Sequence, residues 1–455
     1  MIEKGGRGSP LAAKQTPYPI PDMIKTPLLS ALLLGASLTS ITRLHAAQGV
    51  SLMADYAQPI REIPADFCGL SFETRVLLPD AEGNHYFSPQ HQALVAAFRQ
   101  LGIKSLRVGG NTAERASVPI PDEADIDALF GFARAAGIQV IYTVRMDGNE
   151  PAEAARIVRY IDAHYRDLVD CYIVGNEPDK SREYDTYYQK WQQFVQVINA
   201  QAFVPEAKFC APATTDGHPH WPALMAEDEA ETGRLQMLAQ HYYAGGGSGK
   251  FNDRPLEARA NMISLSWHDR YEDLYQAFVP AVLEYGPGFR LEETNSFSSG
   301  GVHGASDTFA ATLWGLDYLY WWAGHDAKGI NFHCGQKVFP GDEVVRKNVY
   351  TALTAVDDGV QVLPLGYGIR AFQLAAQGNE LIPLEVADAP PAFQAYCTRD
   401  AKEGYLYFTL LNGRTGADAE DYVVHLPVDD QIAGGAVMEL RSPDNQAGAE
   451  EGLTL

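Results

Sequence analysis

The chain is poor in cations, in cysteines at metal spacing and in long apolar runs. Of 455 residues, 35 are Lys or Arg against 58 Asp or Glu, a formal net charge of −23. Binding to nucleic acid or an anionic membrane depends on clustered cations and counterion release, so neither is an expected partner. A long polyanion is disfavoured too, although a local cationic pocket stays compatible with the charge. The five cysteines, Cys68, Cys171, Cys210, Cys334 and Cys397, are far apart and include no C-x-x-C, so neither a metal site nor a redox motif is expected. Cys171, Cys210 and Cys397 lie in strand-like runs and read as small buried hydrophobes. With an odd count, any disulfide leaves at least one thiol free. No G-x-G-x-x-G follows a strand, so no dinucleotide and no other cofactor is expected. There is no internal repeat.

The first apolar run, residues 27–36, is too short to cross a bilayer. Preceded by Lys25 and followed by Ala46 and Ala47, it has the layout of a secretory signal. Residues 1–47 are therefore expected to be an upstream extension and signal peptide, with Met23 a candidate start, and the protein to be secreted or periplasmic. No later run could span a membrane.

Hydrophobic residues make up 46% of the chain and aromatics 11%, enough for a large core. Apolar strand-like runs begin near residues 67, 103, 138, 170, 208, 235, 289 and 329. Helical spacing separates most of them, as in 91–101, 122–136, 151–165, 184–202, 256–283 and 309–323, and another helix is expected from Tyr350. Strands alternating with helices imply parallel βαβ units, and eight close a barrel. A doubly wound open sheet is the alternative. Beyond about residue 358 the runs become short and β-like, Tyr367–Phe372 among them, with turn signals at Asn412-Gly413 and Gly434-Gly435. The expected architecture is an α/β (β/α)8 TIM barrel over residues 61–358 with a C-terminal antiparallel β-sandwich over 359–455, which a strand in 48–60 joins.

Such a barrel carries its active site at the C-terminal ends of its strands. Glu73, Asn111, Asn176, Glu177, Tyr242, Glu293 and His333 fall at such ends. Two strand-end carboxylates facing one substrate suit glycosidic bond cleavage, one as acid/base and one as nucleophile. Their pKa values are then separated by environment.

The motif Val174-Gly175-Asn176-Glu177-Pro178, with a later strand-end glutamate, resembles the clan A retaining glycoside hydrolases. Together with Glu293-Thr294-Asn295-Ser296, Gly300-Gly301, Leu106-Arg107-Val108-Gly109-Gly110-Asn111 and His241-Tyr242-Tyr243, it resembles glycoside hydrolase family 79, the β-glucuronidase and heparanase family. The likeness runs from about residue 60 past 440. It implies Glu177 as acid/base and Glu293 as nucleophile. Glu292 is the rival nucleophile, and strand alternation points it away. It implies that Asn176, Glu73 and Asn111 hold sugar hydroxyls and that Tyr242 bonds the nucleophile, with Tyr243 its competitor. Gly300, Gly301 and Tyr350 are implied to receive the substrate's carboxylate. Arg145 and Lys337 stand near strand ends as additional cations. The implied partner is a carbohydrate bearing glucuronic acid, cleaved by a retaining exo-β-glucuronidase, with no metal. An endo-acting, heparanase-like hydrolase and a non-catalytic carbohydrate-binding protein are the alternatives. Family members continue for about one strand more, so the sandwich is expected to lack its last strand, which would leave an exposed edge.

Overall fold

A computed structural model describes residues 48–201, 208–335, 348–356, 359–414, 421–426 and 434–442. The expected signal peptide in 1–47, Lys337 and the expected truncated end of the sandwich, in 443–455, lie outside the described residues. Two strands come first, β1 (Gln48–Ala54) and β2 (Arg61–Glu62). Eight barrel strands follow: β3 (Cys68–Glu73), β4 (Ser105–Gly109), β5 (Gln139–Val144), β6 (Val169–Val174), β7 (Phe209–Thr214), β8 (Leu235–Tyr243), β9 (Phe289–Asn295) and β10 (Ala327–His333). They close in chain order, with β10 paired to β3. The expected (β/α)8 barrel is thus present.

The strands are almost wholly buried because the barrel packs one of their faces and the helices the other, which is why they read as apolar runs. Between them run α1 (Gln92–Leu101), α2 (Glu123–Ala136), α3 (Pro151–Tyr165), α4 (Tyr184–Gln201), α5 (Trp221–Asp228), α6 (Pro255–Met262), α7 (Ser266–Tyr285) and α8 (Phe309–Gly324). Local chemistry sets their ends. Asp122 caps α2, its carboxylate accepting from Ala124 N at 2.9 Å and Asp125 N at 3.1 Å. Gly137 stops the same helix at φ 74°, a left-handed position that favours glycine.

Two expectations need correcting. The chain after Tyr350 forms no helix but the hairpin β11 (Leu353–Val356) and β12 (Gly359–Val362). Tyr367–Phe372 is no strand; it lies inside α9 (Pro364–Ala375), which packs on α8 and continues the barrel wall past residue 358. Pro364 opens that helix at a permitted first-turn position. Gly368 lets it close on α8, since a Cβ there would lie 2.5 Å from the Thr312 carbonyl oxygen.

The remaining strands are β13 (Glu380–Ile382), β14 (Leu384–Ala387), β15 (Phe393–Asp400), β16 (Tyr405–Asn412) and β17 (Tyr422–His425). They form two sheets, β14-β1-β17 and β16-β15-β13-β2, which meet across Val50, Leu52, Phe393 and Ala395. The sandwich is not wholly antiparallel, because β1 pairs with β17 in parallel. It grips the barrel through α8: Tyr320 stacks on Tyr396 at 4.2 Å and its hydroxyl meets Thr409 Oγ1 at 2.7 Å. Among the described residues no helix is long and apolar enough to cross a membrane.

Cys171 and Cys210 are bonded to each other, not separate hydrophobes. They lie on adjacent strands and point into the barrel with Ile141, Ile173, Met237 and Ala239. Cys68, Cys334 and Cys397 are free and buried. Denatured protein is therefore expected to show three reactive thiols without reductant, and all five with it. Replacing both bonded cysteines with alanine is expected to cost on the order of 2–4 kcal/mol of stability by urea titration, for release of the loop they close. Five reactive thiols without reductant would refute the pairing.

Candidate active site

The site begins with one cation in mid-strand. Arg107 of β4 points into the barrel and is fully buried. An unpaired buried charge is costly, so partners must converge on it. Its Nη1 donates to Glu293 Oε2 at 2.6 Å, and its Nη2 to Asn176 Oδ1 at 2.6 Å. Its Nε lies 3.5 Å from Glu292 Oε2.

Glu292 and Glu293 both face inward, against the expected alternation. Opposite β8, Ala239 to His241 spans the same step as Arg290 to Glu293, and opposite β10, Ile330 to Phe332 spans Leu291 to Thr294. One extra residue therefore sits in β9, and such a bulge re-aims a side chain. Thr294 regains the outward face, where its hydroxyl meets the Tyr318 hydroxyl of α8 at 2.8 Å.

On β8, Met237, Ala239, His241 and Tyr243 share the inner face. The Tyr243 hydroxyl donates to Glu293 Oε1 at 2.9 Å. Tyr242 points outward and meets Tyr271 edge-on, so Tyr243, not Tyr242, holds the nucleophile candidate. His241 bridges two acids: its Nδ1 lies 3.1 Å from Glu177 Oε1 and its Nε2 2.9 Å from Glu292 Oε1. Burial alone would lower the His241 pKa, but the charges of Glu292 and Glu293 and the bonds to Glu177 and Glu292 raise it to about 10. A carboxylate at each ring nitrogen favours the doubly protonated form.

Glu177 follows β6 with φ 47° and ψ 54°, a left-handed backbone that non-glycine residues rarely adopt. Gly175, at φ 88°, turns the chain before it, and Glu177 N donates to the Ala213 carbonyl of β7 at 3.0 Å. Glu177 Oε2 contacts Lys180 Nζ, and Lys180 also donates to Asn111 Oδ1 at 3.1 Å on the exposed rim. Burial alone would raise the Glu293 pKa. His333, His241, Arg107 and the Tyr243 hydroxyl outweigh it and hold Glu293 well below the usual carboxylate range.

Oxygens of Glu177 and Glu293 lie within 4.8 Å of each other and of a His241 nitrogen. His241 turns Nδ1 to Glu177 and Nε2 to Glu292, so a metal held by this trio would have to displace the Nδ1 contact with Glu177.

The other candidates surround this pair. Glu73 is held by Thr112 N at 2.7 Å and Thr112 Oγ1 at 2.6 Å, with its second oxygen 3.8 Å from His333 Nε2. Tyr350 is buried beside Tyr243 and His333, with ring centroids 6.5 Å and 6.2 Å away. Its N–H donates to the Gly300 carbonyl at 3.3 Å, and a Cβ on Gly301 would lie 3.0 Å from its own Cβ. Arg145 takes no part. It binds the carbonyls of Ala113, Arg115 and Val118 and fastens the loop after β4. Arg107, His241 and Lys180 were missed as site residues. Their signal was a charged or titratable residue inside or just after an apolar strand.

The fold resembles that of a 4-O-α-L-rhamnosyl-β-D-glucuronidase from Fusarium oxysporum 12S at TM-score 0.67 and 16% identity, covering 89% of this chain and 90% of that one. It resembles a family 51 arabinofuranosidase from Xanthomonas axonopodis pv. citri at TM-score 0.64 and 15% identity, covering 89% and 93%. A family 39 enzyme from the same organism matches at TM-score 0.51 and 15% identity, covering 78% and 74%. These structural neighbours are glycoside hydrolases. At these identities the likeness is one of fold. No family model and no curated protein sequence matches the chain.

The His241 proton makes a pH prediction. A pKa raised from an ordinary 6.5 to about 10 adds stability that is full below 6.5 and is lost as pH rises toward 10. The melting temperature is expected to fall across that window, and to fall less steeply in His241→Asn. Parallel curves for the two proteins would contradict the assignment.

Proposed function

We propose that the protein is a retaining exo-β-glucuronidase of the family 79 type that removes terminal β-linked glucuronic acid by double displacement. The observation that carries the reading is the Glu177–Glu293 pair across the barrel mouth, with oxygens within 4.8 Å. Retaining glycosidases set their two carboxyl groups about 5–5.5 Å apart, whereas inverting ones leave room for a water.

In the first step Glu293 attacks the anomeric carbon. Its ionised state is supported by Arg107, His241, His333 and the Tyr243 hydroxyl. Glu177 gives its proton to the departing glycosidic oxygen, and the sugar is left as an ester of Glu293. In the second step Glu177 takes a proton from water, and the resulting hydroxide frees the sugar and regenerates the Glu293 carboxylate. Asn176 and Glu73 hold sugar hydroxyls and Asn111 serves the rim.

The sugar's own carboxylate must meet donors to leave water. Gly300 and Gly301 N–H groups with the Tyr350 hydroxyl are the proposed receivers. The glycines lie against Tyr350, which is buried beside Tyr243 and His333, and both take left-handed φ, 95° and 87°. The motif likeness to family 79 supports this, as does a fold shared with an enzyme titled a rhamnosyl-glucuronidase. Exo action is favoured over endo action on a polyanion by the net charge of −23. Export to an oxidising compartment is part of the proposal, supported by the Cys171–Cys210 bond.

The first test is a panel of aryl β-glucuronide, β-glucoside, β-xyloside and α-L-arabinofuranoside. A charged hydrogen bond is worth about 1.5–3 kcal/mol, and about 1.4 kcal/mol is tenfold, so two such bonds favour the glucuronide at least ~10²-fold over the glucoside. Tyr350→Phe should erode that ratio about tenfold. It is a cleaner probe than valine at Gly301, where a Cβ would lie 2.9 Å from Ser306 Cβ at φ 87°. Equal cleavage of glucoside and glucuronide would end the reading.

The second test separates the catalytic roles. Glu177→Ala should spare substrates with an activated phenol leaving group far more than alkyl glucuronides, since activated groups need little protonation. Glu293→Ala should abolish both. Tyr243→Phe should lower kcat and Tyr242→Phe should leave it nearly unchanged. Equal losses on both leaving groups in Glu177→Ala would count against its role.

A further inference from the structure

Double displacement uses two carboxylates, yet a third is buried in the same cluster. Glu292 is 1% exposed and has no role in the steps above. A bulge turns it inward, where a strand without one would put it against the helices. Its Oε1 lies 2.9 Å from His241 Nε2, while Arg107 Nη2 is further from that nitrogen at 3.4 Å. On its other side His241 faces Glu177 Oε1 at 3.1 Å. The groups facing His241 are Arg107 of β4, Glu177 after β6, Asp216 after β7, and Glu292 and Glu293 of β9.

We propose that Glu292 is a positioning residue: by accepting the Nε2 proton of His241 it commits the Nδ1 proton to Glu177 Oε1, so that only Oε2 of Glu177 carries the catalytic proton. The inference rests on reading Glu177 as the acid/base. Oε2 accepts from Lys180 Nζ, a donor whose side chain is 52% exposed and so is free to turn to solvent when Oε2 takes up the proton, whereas the His241 ring is fixed. Oε1 is turned to the buried imidazolium, and an oxygen that accepts from Nδ1–H cannot also be protonated toward it. Removing the Glu292 charge removes one of the anions that keep His241 doubly protonated. A neutral imidazole has one N–H, and a glutamine at 292 accepts from or donates to Nε2 equally well. In the tautomer that leaves Nδ1 bare, which the wild type does not offer, Glu177 protonates on Oε1 and donates inward, away from the leaving group. The serine protease triad shows the same dependence, in which an aspartate fixes the tautomer of its histidine.

The test uses the full-length protein with 15N-labelled histidine, the His241 signals assigned by their loss in His241→Gln. At pH 8 the wild type should show two protonated nitrogens, and Glu292→Gln a neutral ring. The second arm compares kcat for an alkyl and a dinitrophenyl β-glucuronide. Glu292→Gln should lose on the order of 10²-fold on the alkyl substrate and under about threefold on the activated one. A purely structural role would lower both alike. A neutral His241 in the wild type, an unchanged imidazolium in Glu292→Gln, or equal losses on the two substrates would overturn the proposal. The wild-type spectrum decides even if the variant does not fold. Wild-type protein that turned over no glycoside would sink the enzymatic reading alone, because the spectra need no substrate.

Discussion

The guanidinium of Arg107 is the constraint on which the site depends. Its two terminal nitrogens reach Glu293 on β9 and Asn176 beyond β6, and Nη1 also lies 3.3 Å from Ser71 Oγ on β3. Three other barrel segments are thus tied to the one buried charge on β4. Desolvating such a charge costs several kcal/mol, recovered only with good geometry on every partner. Loss of one partner in a buried cluster typically costs about 3–5 kcal/mol. The backbone yields space to it: a Cβ on Gly109 would lie 2.6 Å from Arg107 Cζ.

Around that cation the charges nearly cancel. Glu177, Glu292 and Glu293 stand against Arg107, His241 and the rim cation Lys180. A low-dielectric site can keep three carboxylates only under such compensation. The compensation is uneven by design of the backbone. Glu293 meets buried cations and the Tyr243 hydroxyl, while Glu177 meets one imidazolium and a solvent-exposed lysine. That asymmetry is what separates a nucleophile from an acid/base in carboxylate pairs.

Much of the barrel was legible because parallel strands buried on both faces are apolar runs and their helices repeat at a different period. Glu177 and Glu293 were legible for the same reason: each is an acid where such a run ends. What failed was parity. Glu292 is assigned a face by assuming unbroken alternation, and the extra residue in β9 breaks it. On β8 the side was ambiguous until Met237, Ala239 and His241 fixed it. Helix α9 was read as strand because Gly366 and Gly368 lower helix propensity; they are there for close packing on Ala352 and Thr312. The Cys171–Cys210 bond depends on which strands are neighbours, and spacing does not carry that information.

Double displacement as proposed requires that Glu293, and not the adjacent Glu292, become covalently bonded to the sugar. Both are buried, both face the barrel interior and both pair with Arg107, so a covalent trap is the direct way to tell their roles apart. Incubation with a 2-deoxy-2-fluoro-β-glucuronide bearing an activated leaving group, then proteolysis and fragment-ion mass spectrometry of the peptide spanning 291–295, reads the ester directly. One fluoroglucuronyl group is expected, on Glu293. A label on Glu292 or Glu177, or turnover with no labelled carboxylate, would contradict it.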